Sequence, residues 1–461
     1  MKSDSVPGDL LRSLKNVTGF NEQTFVQAHE SQRQVVSVRI NPHKVKNAGE
    51  LFDRHTNVPW STMGYYLPQR PSFILDPALH GGAYYVQEAS GMFLEQCLMQ
   101  TGDLHAAINV LDLCAAPGGK STLLQSLISF ESLLVSNEVI KSRAAVLIEN
   151  LTKWGGSNVI ITNNDPRDFS RLPAFFDVMV VDAPCSGSGL FRRDPEAIKE
   201  WSRDAVHTCS LRQQRILADA YDCLKQNGVL IYSTCSYSPE EDERIADWLM
   251  SNYHLETVKI KTDPGWNIIE CRSETHKAYG YRFFPDKLEG EGLYIACFIK
   301  KDGSQKEVFK TKKPLIEKAS PAERALAAHW VNSSDPLSFY RHKEQLFALP
   351  AHLENDLFEL RASMNIKKAG VAIGKPLKDE LLPDHELALA GIVSDKLPVI
   401  SLKKEDALQY LRKEEVTVAG MHKGWALVQY NGLNLGWVKV LSSRINNYYP
   451  KEWRILKTGN A

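Results

Sequence analysis

The sequence predicts an α/β protein: a doubly wound, mostly parallel sheet with a small N-terminal domain before it and a β-rich module after it. Three observations carry this reading. Between residues 76 and 300, apolar runs recur at α/β intervals: NVLDLC (109–114), SLLVSN (132–137), NVIITN (158–163), DVMVVD (177–182), GVLIYS (228–233) and YIACFI (294–299). Helix-length segments such as KSRAAVLIENLTKWG (141–155) separate most of them, the alternation expected of parallel strands joined by crossover helices. Beyond residue 385 the texture changes to short β-like runs around glycines, VTVAGMHKGWALVQYNGLNLGWVKV (416–440).

The flanks complete the division. Residues 1–75 mix helical stretches with a strand-like VVSVRINP (35–42) and end in the proline-punctuated YYLPQRPSF (65–73). A charged connector, KKDGSQKEVFKTKKP (300–314), has the polarity of a solvated linker, and residues 315–380 read as largely helical. The expected units are therefore 1–75, 76–300, 301–384 and 385–461, in keeping with about three domains for 461 residues.

Composition narrows the class. With 55 Lys+Arg against 55 Asp+Glu the chain has no global charge that announces a nucleic-acid partner, but residues 421–461 hold six basic side chains against Glu452 alone, a mild basic footprint. No two of the eight cysteines have C-x-x-C spacing, so neither a zinc site nor a thioredoxin-type pair is expected, and the thiols read as reduced and cytoplasmic. The opening MKSDSVPGDL lacks the apolar core of a secretion signal, and no apolar run reaches the ~18 residues of a membrane span.

The candidate site lies where five of the strands end. The first runs into LDLCAAPGGKST, where the small residues Cys114, Ala115, Ala116, Pro117, Gly118 and Gly119, followed by Lys120, open a helix. Such a loop lets a ligand approach the backbone and offers a helix N-terminus to polar or anionic groups. A phosphate-binding P-loop would need glycine where Cys114 stands. Glu138 closes the second strand and is placed to accept both hydroxyls of a ribose, unless it is a solvated helix-start glutamate. Asp165, after the third, either accepts from an adenine amino group or caps a turn. Together these acids outline a nucleoside pocket, and the absence of G-x-G-x-x-G points to S-adenosylmethionine rather than NAD. Asp182 closes the fourth strand, and Cys185 follows in PCSGSGLFRR. After the GVLIYS strand stands Cys235, ahead of Ser238, Pro239 and Glu241, which read as an N-cap, a first-turn proline and a capping box. The sheet edge thus carries two cysteines on different strands, with Asp182 and Lys120 near them.

The series LDLCAAPGGKS, SNEV, NND, VVDAPCSGSG and STCSYSPEEDE resembles the RNA cytosine-5 methyltransferases, the family of the bacterial Sun protein, in its motifs and their order. VRINPHK (38–44), GGAYYVQEASGMF (81–93), GYRFFPDKLEGEGLYIACF (280–298) and LGWVKVLSSRINNYYPKEWR (435–454) resemble the longer bacterial type that acts on small-subunit ribosomal RNA. The resemblance implies a Rossmann-like methyltransferase domain over 76–300, with S-adenosylmethionine held by Cys114 through Lys120, Glu138, Asp165 and Asp182. It also implies an RNA-binding domain over 1–75 and a PUA-like RNA-binding module over 385–461. It assigns the nucleophile to Cys235, breakdown of the covalent adduct to Cys185, and a hydrogen bond to the cytosine edge to Asp182. Lys120 or the helix after Ser238 would assist the thiolate, and Arg39, Lys44, Arg192, Arg193 and the basic tail would contact RNA.

Cytosine carbon 5 is a poor nucleophile until a thiolate adds to carbon 6, which is why a cysteine is needed at all. Three other readings compete: a transfer-RNA enzyme, a DNA cytosine-5 methyltransferase with the PC cysteine as nucleophile, and a non-enzymatic ribosome assembly factor. The two thiols together disfavour the last two. A soluble monomer with no metal, acting on 16S RNA or the 30S subunit, is the expected form. Removal of 385–461 is expected to weaken RNA binding while sparing the cofactor.

Overall fold

The computed structural model describes residues 6–31, 33–303, 316–378, 380–416 and 423–457; most of the lysine-rich connector lies outside them. The central sheet contains β1 (Asn109–Asp112), β2 (Leu133–Asn137), β3 (Val159–Thr162), β4 (Phe176–Asp182), β5 (Leu224–Thr234), β6 (Leu255–Thr257), β7 (Ile269–Arg272), β8 (Tyr279–Phe283), β9 (Leu293–Lys300) and β10 (Ile366–Ala369). Their order is β7-β8-β9-β5-β4-β1-β2-β3-β10, with β6 paired to β9. The inner five, β5-β4-β1-β2-β3, are parallel. Strands buried on both faces read as continuous apolar runs, and Val110, Leu111, Leu134, Val135, Ile160, Ile161, Val180 and Val181 are all sealed from solvent. The helices α1 (Gly119–Leu127), α2 (Lys141–Trp154), α3 (Arg203–Ala220) and α4 (Glu243–Asn252) supply the crossovers and flanking layers. Strand order reverses at β1, which lies between β4 and β2. Ligands bind at such a switch point, beyond the strands' carboxyl ends.

The N-terminal segment forms two helices, Gly8–Leu14 and Glu22–Glu30, and a four-stranded antiparallel sheet reaching Tyr84–Tyr85, ten residues past the boundary expected at 75. Leu10, Leu14 and Phe25 of the helices bury against Phe191, Trp201, Tyr237 and Phe284 of the central domain. This apolar burial places them over the loops that carry the two candidate cysteines. Met92 and Phe93 are core residues, as their apolar setting suggests.

Residues 315–380 differ from the helical expectation. Two helices, Pro321–Ala328 and Glu354–Ser363, accompany an antiparallel sheet of Glu317–Lys318, Leu337–His342, Gln345–Pro350, Val371–Leu377 and Glu380–Pro383. The central hairpin turns on Lys343-Glu344, with Lys343 rather than a glycine or asparagine taking positive φ (57°), so the usual Asn-Gly signal is missing. Nor is this segment only a linker, because β10 pairs antiparallel with β3 and covers the edge of the central sheet.

The C-terminal module pairs Val399–Ser401, Gly424–Tyr430, Leu433–Val440 and Ile445–Asn447 around Tyr410, Val438 and Tyr449. Its hairpin turns on Asn431-Gly432, both at positive φ, as the sequence signals. Leu387, Ala388 and Ala390 share a core with Leu346, Val371 and Trp437. Truncation at 385 therefore cuts through packed apolar residues, and loss of folding, not selective loss of RNA affinity, is the expected result.

Candidate active site

β1 ends at Asp112, and the loop Cys114–Gly119 turns into α1. Gly118 holds φ 114°, and a Cβ there would stand 3.2 Å from the Leu147 side chain. Only glycine fits both conditions, so the turn stays tight. The loop is tied from α2: Arg143 Nη2 donates to the Ala116 carbonyl at 2.6 Å and Asn150 Nδ2 to that of Pro117 at 2.8 Å. Burial pushes the Cys114 thiol well above the usual range, so it remains a neutral wall.

Asp112, inside the apolar run NVLDLC, is a site residue that its sequence context hides. It is fully buried, its Oδ2 accepts from Ser121 Oγ at 2.6 Å, and its Oδ1 has no hydrogen-bond partner among the described residues. Burial pushes its carboxyl up to about 7. Glu138 is 3 % exposed, which rules out the solvated alternative. Its Oε1 accepts from the Ile140 amide at 2.8 Å and its Oε2 lies 3.6 Å from Arg143 Nη1. Asp165 caps the short 3-10 helix Pro166–Arg171 through the Arg167 amide (3.2 Å) and faces Arg215 at 3.6 Å. The turn-capping role considered for it is thus real, and its side chain remains partly exposed.

Asp182, at the end of β4, receives Lys120 Nζ at 2.8 Å on Oδ2 and Ser233 Oγ at 2.8 Å on Oδ1. Burial opposes the Lys120 ammonium, but the Asp182 carboxylate outweighs it and the group's pKa ends above its ordinary value. Lys120 therefore stays charged and ion-paired to Asp182.

The two cysteines meet: Cys185 Sγ and Cys235 Sγ are 3.0 Å apart. The hydrogen bond to Cys235 and then burial raise the Cys185 thiol well above the usual range, so Cys185 stays protonated. What brings the loops together is Glu241. Its Oε1 accepts from the Ser186 amide at 2.8 Å and Gln213 Nε2 at 3.1 Å, while its Oε2 accepts from Ser186 Oγ at 2.5 Å and Ser236 Oγ at 2.6 Å. This corrects the capping-box reading. The helix begins at Glu243 with Asp242 as N-cap, and the Ser238 hydroxyl caps nothing. No helix start therefore lies directly behind Cys235. Arg282, fully buried, fixes the intervening turn through the Tyr237 carbonyl (3.0 Å), Asp242 (3.0 Å) and Glu243 (2.6 Å).

Several residues expected to face RNA face inward instead. Arg39 is fully buried, donates to Gln87 and Thr122, and stacks 4.5 Å from Trp154. Lys44 donates to the carbonyls of Gly81 (2.9 Å), Lys153 (2.7 Å) and Leu389 (2.9 Å). Arg192 donates to the carbonyls of Gly290 and Arg33. Each looks like a surface cation in a sequence, and only distant segments folding over it make it internal. Arg193 is exposed.

A switch-point crevice with a glycine loop and acids on successive strand ends is the framework of an S-adenosylmethionine-dependent methyltransferase. The profile described as 16S rRNA methyltransferase RsmB/F matches residues 99–299, that of the methyltransferase RsmF PUA domain 397–455, and that of the N-terminal domain of 16S rRNA methyltransferase RsmF 6–89. The chain is 30% identical over 414 residues to ribosomal RNA small subunit methyltransferase F of Psychromonas ingrahamii, covering 86% of this chain and 85% of that one. With the protein of the same name from Vibrio atlanticus it shares 30% identity over 439 residues, 90% of each chain. The chain belongs to the ribosomal RNA small subunit methyltransferase F family. Among solved structures, a methyltransferase homologue from Pyrococcus horikoshii superposes with TM-score 0.51 at 26% identity, over 64% of this chain and 100% of that one. NSun6 from the same organism has TM-score 0.54 at 19% identity, over 65% and 99%, and shows the shared fold. Among the described residues no helix is long and apolar enough to cross a membrane.

Proposed function

We propose that the protein transfers a methyl group to carbon 5 of a cytosine in small-subunit ribosomal RNA, with Cys235 as the nucleophile. The observation that carries this is the pair of thiols 3.0 Å apart on the ends of two adjacent parallel strands. Cys235 attacks as the thiolate, its proton passing to solvent, while Cys185 stays protonated beside it. The Cys235 sulfur adds to carbon 6, the ring electrons moving toward carbon 5, and Asp182 with Lys120 binds the cytosine edge where charge builds. S-adenosylmethionine, when bound, supplies the electrophilic methyl. Once Cys235 is bonded to carbon, Cys185 loses the hydrogen bond that most raised its pKa, and its proton passes to solvent. Cys185 then takes the carbon 5 proton as the carbon–sulfur bond breaks and its electron pair returns to Cys235.

For the cofactor, the loop Cys114–Lys120 with Glu138, Asp165 and Asp182 offers mostly carboxylates to a ligand that carries an ammonium and a sulfonium, and the unpartnered Asp112 Oδ1 awaits a donor. In the free protein Asp112 is protonated below about 7, and a cationic ligand requires the ionised form. Affinity is therefore expected to tighten about tenfold between pH 6 and pH 8. Calorimetry on Asp112→Asn should give a weaker and flatter profile. Glu138→Ala is expected to weaken the cofactor by about one to two powers of ten, from loss of charge-assisted hydrogen bonds; unchanged affinity removes Glu138 from the site.

RNA binding rests on a second feature. A cavity of about 640 Å³ between the N-terminal sheet, α2 and the tail is lined by Arg70, Arg193, Arg454 and Lys457 with Phe73 and Trp453, alongside Glu452 and a Lys153–Glu149 ion pair. Cations interleaved with aromatic rings suit a phosphate backbone and its bases. We assign the segments 1–75 and 385–461 to RNA contact, 76–300 to catalysis and 301–384 to joining them, and we take the working form to be a cytoplasmic monomer acting on the 30S subunit or its RNA. Reversing Arg454 and Lys457 to Glu is expected to raise the Kd for RNA about tenfold and to flatten its salt dependence, with cofactor affinity unchanged. Bisulfite sequencing of total RNA from cells with and without the gene tests the whole reading. One or more 5-methylcytosines should vanish from the small-subunit RNA; loss from transfer RNA alone, or no loss, overturns it.

A further inference from the structure

Beside the cysteine pair, between the N-terminal sheet and the central domain, lies a cavity of about 300 Å³ whose walls include Ser37, Arg70, Gln87, Glu88, Arg193 and Glu291. That size is at the small end of ligand sites. Most of its polar groups are already engaged. Ser37 Oγ donates to the Gln87 carbonyl at 2.6 Å, Gln87 Oε1 accepts from Arg39 at 2.8 Å, and Glu88 accepts from the amides of Gly91 (3.1 Å) and Glu291 (2.8 Å). The Glu291 carboxylate is the exception. The residue is 7 % exposed, and its Oε2 is buried with no hydrogen-bond partner among the described residues. The nearby Arg192 Nη1 stands 3.8 Å away, with its guanidinium committed to backbone carbonyls. With only that long ion pair, burial pushes the Glu291 carboxyl up to about 7, and a pair of donors from a ligand would hold it ionised and satisfy it.

The position is as telling as the chemistry. Glu291 sits in a strap whose next residue, Gly292, donates to the Gly189 carbonyl at 3.1 Å, and the Gly189 amide donates to the carbonyl of Cys235 at 2.8 Å. A Cβ on Gly189 would lie 2.6 Å from the Gly292 oxygen and 2.7 Å from that of Cys235, so the three backbones are in contact. The cavity and the cysteine pair therefore share one rigid wall.

We propose that this cavity reads a guanine flanking the target cytosine, the Glu291 carboxylate accepting from the adjacent N1–H and N2–H donors of its edge. The proposal rests on the RNA cytosine reading above. Guanine alone among the four RNA bases presents two neighbouring donors to a carboxylate. Adenine and cytosine set one donor beside an acceptor, and uracil sets its single donor between two acceptors. Arg70 and Arg193 at the rim suit the phosphates on either side.

The test uses the full-length protein and a small-subunit RNA fragment containing the modified cytosine, with three nucleotides randomised on each side and products read by bisulfite sequencing. Wild-type protein should enrich guanine at one position about tenfold, and Glu291→Gln should abolish that enrichment while still methylating the pool. Replacing that guanine by inosine, which lacks the 2-amino group, should slow wild-type protein about tenfold and leave Glu291→Gln unaffected. The inosine comparison on wild-type protein stands even if the variant does not fold. Enrichment of another base, no enrichment, or a guanine preference that survives Glu291→Gln overturns the subsite and leaves the methyltransferase reading intact. A wild-type protein that binds S-adenosylmethionine but methylates nothing in the pool or in native RNA overturns both.

Discussion

Cys185→Ala protein, incubated with RNA and S-adenosylmethionine, is expected to accumulate a denaturant-resistant protein–RNA complex, while Cys235→Ala forms none. Both variants should lose turnover by at least about three powers of ten, since each removes a group acting on a reacting bond. The divergent outcomes follow from the geometry: one thiol makes the bond to carbon 6, and the other, held protonated by its 3.0 Å contact with the first, serves the step that breaks it. Both variants should bind the cofactor normally by calorimetry. An adduct trapped in Cys235→Ala and absent in Cys185→Ala reverses the roles. Full activity in both variants ends the covalent reading.

The second large effect is expected at Glu241, which touches neither thiol. Its carboxylate holds Ser186, one residue after Cys185, and Ser236, one residue after Cys235. Glu241→Ala should lower kcat about 100-fold or more, because displacing reacting groups by an ångström costs that much, with KM for S-adenosylmethionine within about twofold. Glu241→Gln keeps the shape but loses charge and one acceptor, and should fall between. A change confined to melting temperature would make Glu241 structural only. A kcat loss together with slower adduct formation identifies it as a positioning residue.

How much of this was legible in the sequence depended on whether a residue's role is local. The strand ends holding Asp182, Cys185 and Cys235 could be read because apolar runs mark strands and the chemistry follows directly behind them. Glu241 misled because Ser-Pro-Glu-Glu fits a capping box equally well; its carboxylate turns away only because Ser186, 55 residues earlier, waits with an amide and a hydroxyl. Asp112 was hidden inside an apolar strand, and its orphaned oxygen is visible only once the crevice closes around it. Arg39, Lys44 and Arg192 are deceptive in sequence for one reason: charge says surface until partners far along the chain cover it. The sheet between 317 and 383 escaped because its strands are short and its hairpin turns on a lysine.

Lys44 joins three stretches of chain by ordinary hydrogen bonds, and the last of its acceptors, Leu389, lies 345 residues downstream. Even with all three carbonyls in place, burial brings the pKa of that ammonium down to about 7, and while the polypeptide is still being synthesised the last of them is missing. The nascent N-terminal sheet is thus left with an unsatisfied cation until the distal third of the chain has left the ribosome. Completion of the fold is in this way tied to completion of translation, and a nonsense product ending before residue 389 would carry a seam open to proteolysis.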